Sequence, residues 1–378
     1  MKRFAFLLAG VVLLIPGGGA GAAEAGVADN EVLIGQSGVL SGPLGSLGLE
    51  LQEGANLYID RVNAAGGVHG RRIRLLSMDD AYDPKRTVEN TRKMIEQDKV
   101  FALFGYSGTP TTLAVLPLVE QHRVPLIAPF TGVDVLRDKY SRYVFNVRAR
   151  YSDEIEEMVR QLTTTGVKKI AVAYLNNAFG KSGLASVEAA MKKRGLQISG
   201  AVPVEVESTQ LAASVKSLAQ ASPDAIILAT AGKPTSDFIG AYQKTGLKPQ
   251  FFALSVVSSH QLTQALGDES RGVVISQVMP YPWKRGVPIV NELQGLASAK
   301  GVKNITYNHM EGFVYAKVLV EALRGAGRKL TREGLVRGLE SMEGRDLGGL
   351  TVGFSEGNHN ASTYVDLTIV GRDGKLMH

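Results

Sequence analysis

The chain has 378 residues, 44% of them hydrophobic, and no cysteine. The missing cysteine excludes disulfides, thiolate metal sites, a thiol nucleophile and a lipid-attachment residue, so the fold must rest on packed cores, two of them being expected at this length. Lys and Arg number 42 against 36 acids, a formal charge of +6 that falls by two if Lys2 and Arg3 leave with a leader. The excess is spread along the chain without a basic cluster, which argues against nucleic-acid binding.

Met1-Lys2-Arg3, the apolar run Phe4 to Ile15 and the small residues of Gly17 to Ala23 have the three-part pattern of a secretory signal peptide. The apolar run is too short for a membrane span. Residues 1–23 are therefore expected to be removed and the remainder to act outside the cytoplasm, in the periplasm.

From Glu31 the chain alternates short β-branched runs with amphipathic helical patterns, the signature of βαβ units. EVLIGQ, RRIRLLSM, VFALFGY and VPLIAP are expected strands, separated by helices carrying Leu51, Ala55 and Ile59, then Val88, Thr91 and Ile95. A second series starts near Asp153 with EIEEMVRQL. It continues through the strands KKIAVAYL, ISGAVPV, DAIILAT, QFFALSV and GVVISQVM, with helices between them. Two such sets predict an α/β fold of two Rossmann-like lobes. After Gln277 only three helical patterns and the strands TVGFS and YVDLTIV remain, best used to complete the two sheets. The expected organisation is 24–147 with 278–348 in one lobe and 148–277 with 349–378 in the other.

The strongest local signal is FGYSGTPTTLAVLPLVEQ. A buried strand ends at Phe104-Gly105 and runs through Tyr106, Ser107, Gly108 and Thr109 into a helix with Pro110 at its first position and Thr109 as the expected N-cap. Free amides and the helix dipole favour an anion there. A second junction of the same kind, Phe130-Thr131-Gly132, could converge on the first, because neighbouring strand ends of an open α/β sheet line one crevice.

Other motifs carry less. Gly42, Gly45 and Gly48 lack dinucleotide-loop spacing and read as a flexible cleft rim with Leu47 as an apolar wall. Ser107 lacks the second glycine of a nucleophile elbow, and the six histidines show no metal spacing, so no catalytic residue, metal or cofactor is expected. Asp79-Asp80-Ala81-Tyr82-Asp83 reads as a capped turn before a helix at Pro84. Tyr281-Pro282-Trp283, with the sole tryptophan, is either an aromatic cleft wall or hinge packing.

These segments together resemble the type I periplasmic binding proteins of the leucine/isoleucine/valine-binding family. The resemblance runs in order through IGQSGVLSGPLGSLG, NAAGGVHGRRIRL with its downstream DD and DP, VPLIAPFTG, YLNNAFGKSGL, SPDAIILA and MEGFVYAKVLVEAL. It implies two lobes joined by three crossovers and closing on a ligand, which an ABC permease of the inner membrane then receives from a monomeric, non-enzymatic carrier. It also implies that Ser107 and the Thr131/Gly132 turn hold the ligand carboxylate while Phe179 covers the ligand. Ser255 stands where amino-acid-binding members place a glutamate against the ligand ammonium, so an organic or aromatic acid is favoured over a branched-chain amino acid. Tyr82 and Tyr106 occupy the positions of a family cysteine pair. The rival reading is a ligand-sensing receptor with the same fold.

Overall fold

The computed structural model describes residues 24–378; the expected leader lies outside them. The chain opens with β1 (Glu31–Gly38), α1 (Gly45–Ala64), β2 (Arg72–Asp79), α2 (Pro84–Glu96), β3 (Ala102–Phe104), α3 (Thr109–His122), β4 (Leu126–Ile127), α4 (Val135–Asp138) and β5 (Val144–Phe145). Their strands form one parallel sheet in the order β2-β1-β3-β4-β5.

The second set is α5 (Tyr151–Thr164), β6 (Ile170–Leu175), α6 (Ala178–Lys192), β7 (Gly200–Val204), α7 (Leu211–Gln220), β8 (Ala225–Ala229), α8 (Lys233–Gln243), β9 (Gln250–Ala253), α9 (Ser259–Leu266) and β10 (Val274–Gln277). There follow α10 (Pro288–Lys300), α11 (Tyr307–Gly325), α12 (Arg332–Glu340), β11 (Arg345–Asp346), β12 (Thr351–Val352), β13 (Asp366–Val370) and β14 (Leu376–Met377). The second sheet runs β14-β13-β10-β9-β8-β6-β7, parallel from β10 to β7 and antiparallel at β13 and β14.

Helices cover both faces of each sheet, so central strands lose their alternation: all five residues of β8 are buried. The strand order reverses beside β1 in the first sheet and beside β6 in the second, and at such reversals the two adjoining loops diverge to opposite faces and leave a crevice. That geometry places the loops after β1, β3, β6 and β8 where a ligand can lie.

Helices α10 to α12 return to the first sheet. Arg332 donates to the carbonyls of Val100, Phe101 and His122, and α11 crosses α1 at a contact only glycine permits. A Cβ on Gly54 would sit 2.0 Å from the His309 carbonyl oxygen, and one on Gly312 would sit 1.9 Å from that of Leu51.

Two expectations about the tail need correction. TVGFS adds to neither large sheet, since β12 pairs only with β11 in a two-stranded ribbon. The segment after residue 349 also stays with the first lobe longer than the hydropathy pattern suggests. Asn146 bridges to Asn360, His359 stacks on Phe145 at 3.8 Å, and Phe354 meets the same ring edge-on at 5.5 Å. The chain therefore returns to the second sheet between Ala361 and β13. Two-residue strands with at most one buried side chain carry too little pattern to say which sheet they join.

Gly312→Ala is expected to force α1 and α11 apart and cost about 1–3 kcal/mol. The check is urea unfolding, where the midpoint should fall with the slope unchanged.

Candidate functional site

A cavity closed down to about 20 Å³, room for one or two waters, lies between the carboxyl ends of the two sheets. Nearly every loop expected at the switch points contributes. Val39 and Leu44 follow β1, Leu47 enters α1, Tyr82 follows β2, Ser107 to Thr109 follow β3, and Phe130 follows β4. Facing them are Tyr151 and Phe179 in the first turns of α5 and α6, Ala231 after β8 and Val256 after β9.

The two junctions read from the sequence do meet. Ser107 and Phe130 form a parallel bridge, and the Thr109 and Thr131 hydroxyls lie 2.7 Å apart. The cap differs from expectation: it is Gly108, at φ 100° and ψ 154°, because a side chain there would strike the Tyr82 ring at 2.3 Å. Thr109 is thus the first helical residue, its hydroxyl spent on Thr131. Ser107 is 2% exposed and presents the free hydroxyl of the turn to the cavity, while its carbonyl accepts from Thr111.

Four of the expected residues stand back from the wall. Tyr106 turns into the core and pairs its hydroxyl with Thr91 at 2.8 Å. Tyr82, its expected counterpart, lines the cavity instead. Thr131 and Gly132 form the layer behind. The Thr131 carbonyl accepts from Arg137 and the Gly132 carbonyl from the Tyr151 amide, and a Cβ on Gly132 would lie 2.8 Å from the Tyr151 ring. Ser255 is also absent from the wall, since its neighbour Val256 takes that place.

Ser255 belongs to a buried ionic cluster. Arg148, wholly buried at the first passage between sheets, donates to Ser255 Oγ and, at 3.2 Å, to Glu154; its other nitrogen lies 3.5 Å from Glu311 of α11. Glu154 accepts further from the Ser255 amide at 3.0 Å and the Ser276 hydroxyl at 2.5 Å. Burial alone would lower the Arg148 pKa, but Glu311, Tyr151 and Glu154 outweigh it and push the value up, so the guanidinium stays charged. Burial drives Glu311 the other way, upward, against the pull of Arg148. Arg137 is pushed down to about 10, first by burial and then by Arg148.

This cluster sets the electrostatics of the cavity wall. The Arg148 guanidinium carbon lies 5.1 Å from the Phe130 ring centre and 5.4 Å from that of Tyr151. Two of the four aromatic walls thus already have a cation against their π systems. Among the described residues no charged side chain lines the cavity, and burial holds the Tyr82 and Tyr151 phenols above their ordinary value, as neutral hydroxyls.

Sequence reasoning missed Val39, Leu44, Tyr82, Tyr151, Ala231 and Val256. The first, second, fifth and sixth follow strand ends and were open to the crevice rule. Tyr82 depends on consecutive left-handed residues, Ala81 at φ 48° and Tyr82 at φ 66°, which no sequence pattern signals. Tyr281 is placed elsewhere, in a separate cleft beside Trp283.

A family model described as periplasmic binding protein matches residues 31–375. The chain belongs to the periplasmic binding protein family. A substrate-binding periplasmic protein from Ralstonia solanacearum superposes with TM-score 0.86 at 34% identity, covering 91% of this chain and 99% of that one. An amino acid binding protein from Pseudomonas aeruginosa is 25% identical over 170 residues, 44% of this chain and 45% of that protein. A Leu/Ile/Val-binding protein homolog from Brucella abortus is 24% identical over 237 residues, 60% of this chain and 59% of that one. The match thus spans about half the length of these two curated relatives. The Ralstonia relative is described as substrate-binding, in keeping with a binding-protein family.

In this binding protein Arg148→Met is expected to leave two buried carboxylates uncompensated and cost about 3–5 kcal/mol. Urea unfolding should show the loss, and adding Glu311→Gln should recover part of it; equal stability of the single variant and wild type would contradict the pairing.

Proposed function

We propose that this protein is the periplasmic receptor of an ABC importer, exported by its N-terminal leader and acting as a monomer. Its ligand is a small carboxylic acid with an apolar or aromatic body and no ammonium group. The observation that carries the ligand class is the charge of the cleft. Among the described residues its lining offers hydroxyls, amides and four aromatic rings but no carboxylate; behind it Glu154 is committed to Arg148, Ser255 and Ser276, and Asp80 to the Ser37 and Thr87 hydroxyls and the Tyr82 amide.

An ammonium brought into such a wall loses its water without gaining a partner, at a cost of several kcal/mol. The ring faces do not repair this, because Arg148 already lies against Phe130 and Tyr151. A carboxylate fares better. The Ser107 hydroxyl and the amino end of α3, a helix of 14 residues, supply donors and a favourable dipole. The two curated relatives described above are named for amino acids, and the departure of this chain from them rests on the uncharged wall.

Closure follows from the same geometry. Ligand contacts drawn from both sheets exist together only when the lobes meet, so the ligand shifts the population toward the closed form that a permease would recognise. Contacts across the cleft support that reading. Ser258 donates to Glu50 at 2.9 Å, Ser46 donates to Gln261 at 3.0 Å, and the Lys233 amide donates to the Pro43 carbonyl at 3.2 Å.

A thermal-shift series of aromatic carboxylates, aliphatic acids, their amides and branched-chain amino acids tests the ligand class. Acids lacking an amine should raise the midpoint, by about 2.7 kcal/mol of stabilisation at 100 times the dissociation constant. Ser107→Ala should remove a hydrogen bond to a charged group worth about 1.5–3 kcal/mol, weakening affinity roughly 10- to 100-fold without lowering the stability of the empty protein. Unchanged affinity in that variant would remove Ser107 from the site.

A further inference from the structure

Tyr281-Pro282-Trp283 stands apart from the cavity between the strand ends. Tyr281 and Trp283 line a second cleft of about 600 Å³, within the range of small-molecule sites. Its walls come from both lobes. Lys303 and Ile305 precede α11 and are tied to α1 through Thr306, which donates to Glu50 at 2.8 Å. Opposite lie His260 in the first turn of α9 and Lys375 beside β14, both attached to the second sheet.

The cleft has a built aromatic side. Tyr281 and Trp283 meet edge to face at 5.1 Å, and Trp283 meets Tyr307 at 5.9 Å. The Tyr281 hydroxyl donates to the Leu376 carbonyl at 2.8 Å, which fixes the ring. Trp283 nevertheless keeps 37% of its surface exposed.

The cleft is also cationic. Asp366 beside it is engaged by His378, and among the described side chains the nearby lysines that pair with acids are Lys300 with Asp60 and Lys317 with Glu292, not Lys303 or Lys375. Lys303 and Lys375 thus share a cleft with an exposed indole, and no carboxylate is among its described lining side chains. A flat apolar body against Trp283 with its negative end toward the lysines satisfies both features.

We propose that this cleft is a second binding site, for a small planar organic anion, distinct from the cavity between the strand ends. Because one wall belongs to α11 and the other to α9 and β14, an anion bound there favours the lobe arrangement in which both walls touch it. By linkage it changes affinity at the first cavity, and the first ligand changes its affinity by the same factor.

Trp283 is the sole tryptophan, so its emission reports the second cleft. The probe is phenylacetate, with the neutral phenylacetamide as control, titrated by emission and by calorimetry into the wild type, Ser107→Ala, and the double variant Lys303→Ala/Lys375→Ala. A saturable emission change should persist in Ser107→Ala, weaken about 10-fold or more in the double lysine variant, and weaken similarly with the amide. Thermal unfolding of the unliganded double variant should match wild type.

An emission change that follows the Ser107 substitution and ignores the lysines would overturn the second site, because Trp283 would then report only closure around the first cavity. No saturable change up to about 10 mM would overturn it too. Loss of binding at the first cavity alone, with the lysine-dependent titration intact, would sink the ligand class proposed above and leave this site standing.

Discussion

Each sheet of this protein reverses its strand order once, beside β1 and beside β6, and everything functional hangs on that constraint. Parallel strands buried on both faces must send their polar loops out at the ends, and the reversal opens a gap between loops leaving in opposite directions. Two sheets that present those ends to one another make a chamber whose walls are loops and first helical turns. Ser107, Phe130, Phe179 and Ala231 reach one small volume from positions far apart in sequence for that reason alone.

The ionic cluster behind the chamber decides its chemical character. Arg148 lies where the chain first leaves the first sheet, and it is bound on one side to Glu311 of α11 and on the other to Glu154 and Ser255 of the second lobe. Buried ion pairs of this kind contribute little net stability, yet removing one member is costly. Here the pairing engages Glu154 and Glu311 and sets a cation against two of the aromatic walls. Among the described residues the chamber wall carries no charged side chain, although Arg148, Glu154 and Glu311 stand behind it.

The fold was largely legible in the sequence because its signals are local. Fully apolar strands such as AIILA and amphipathic helices state their environment residue by residue, and the family phrases give their order. Ser107, Gly108, Thr109, Phe130 and Leu47 could be named as a wall because each follows a strand end or enters the next helix, and Phe179 because the family resemblance implies it. Side-chain destinations that depend on distant partners could not. Ser255 is drawn away by Arg148, 107 residues earlier in the chain. Tyr106 points inward to Thr91 and Tyr82 outward, although both flank strand ends. The segment 351–361 stays with the first lobe through the stacking of His359 and Phe354 on Phe145, a contact with no local signature.

The central claim is that the chamber accepts a carboxylate and rejects an ammonium. A matched pair isolates it: leucine and 4-methylpentanoate share a skeleton and differ only in the amine. Calorimetric titration of both into the purified protein should give the deaminated acid the higher affinity by at least about 10-fold, one uncompensated polar group being worth well over 1.4 kcal/mol. Tighter binding of leucine would mean that a carboxylate reaches the chamber after all, and the account of Arg148, Glu154 and Ser255 would have to be abandoned.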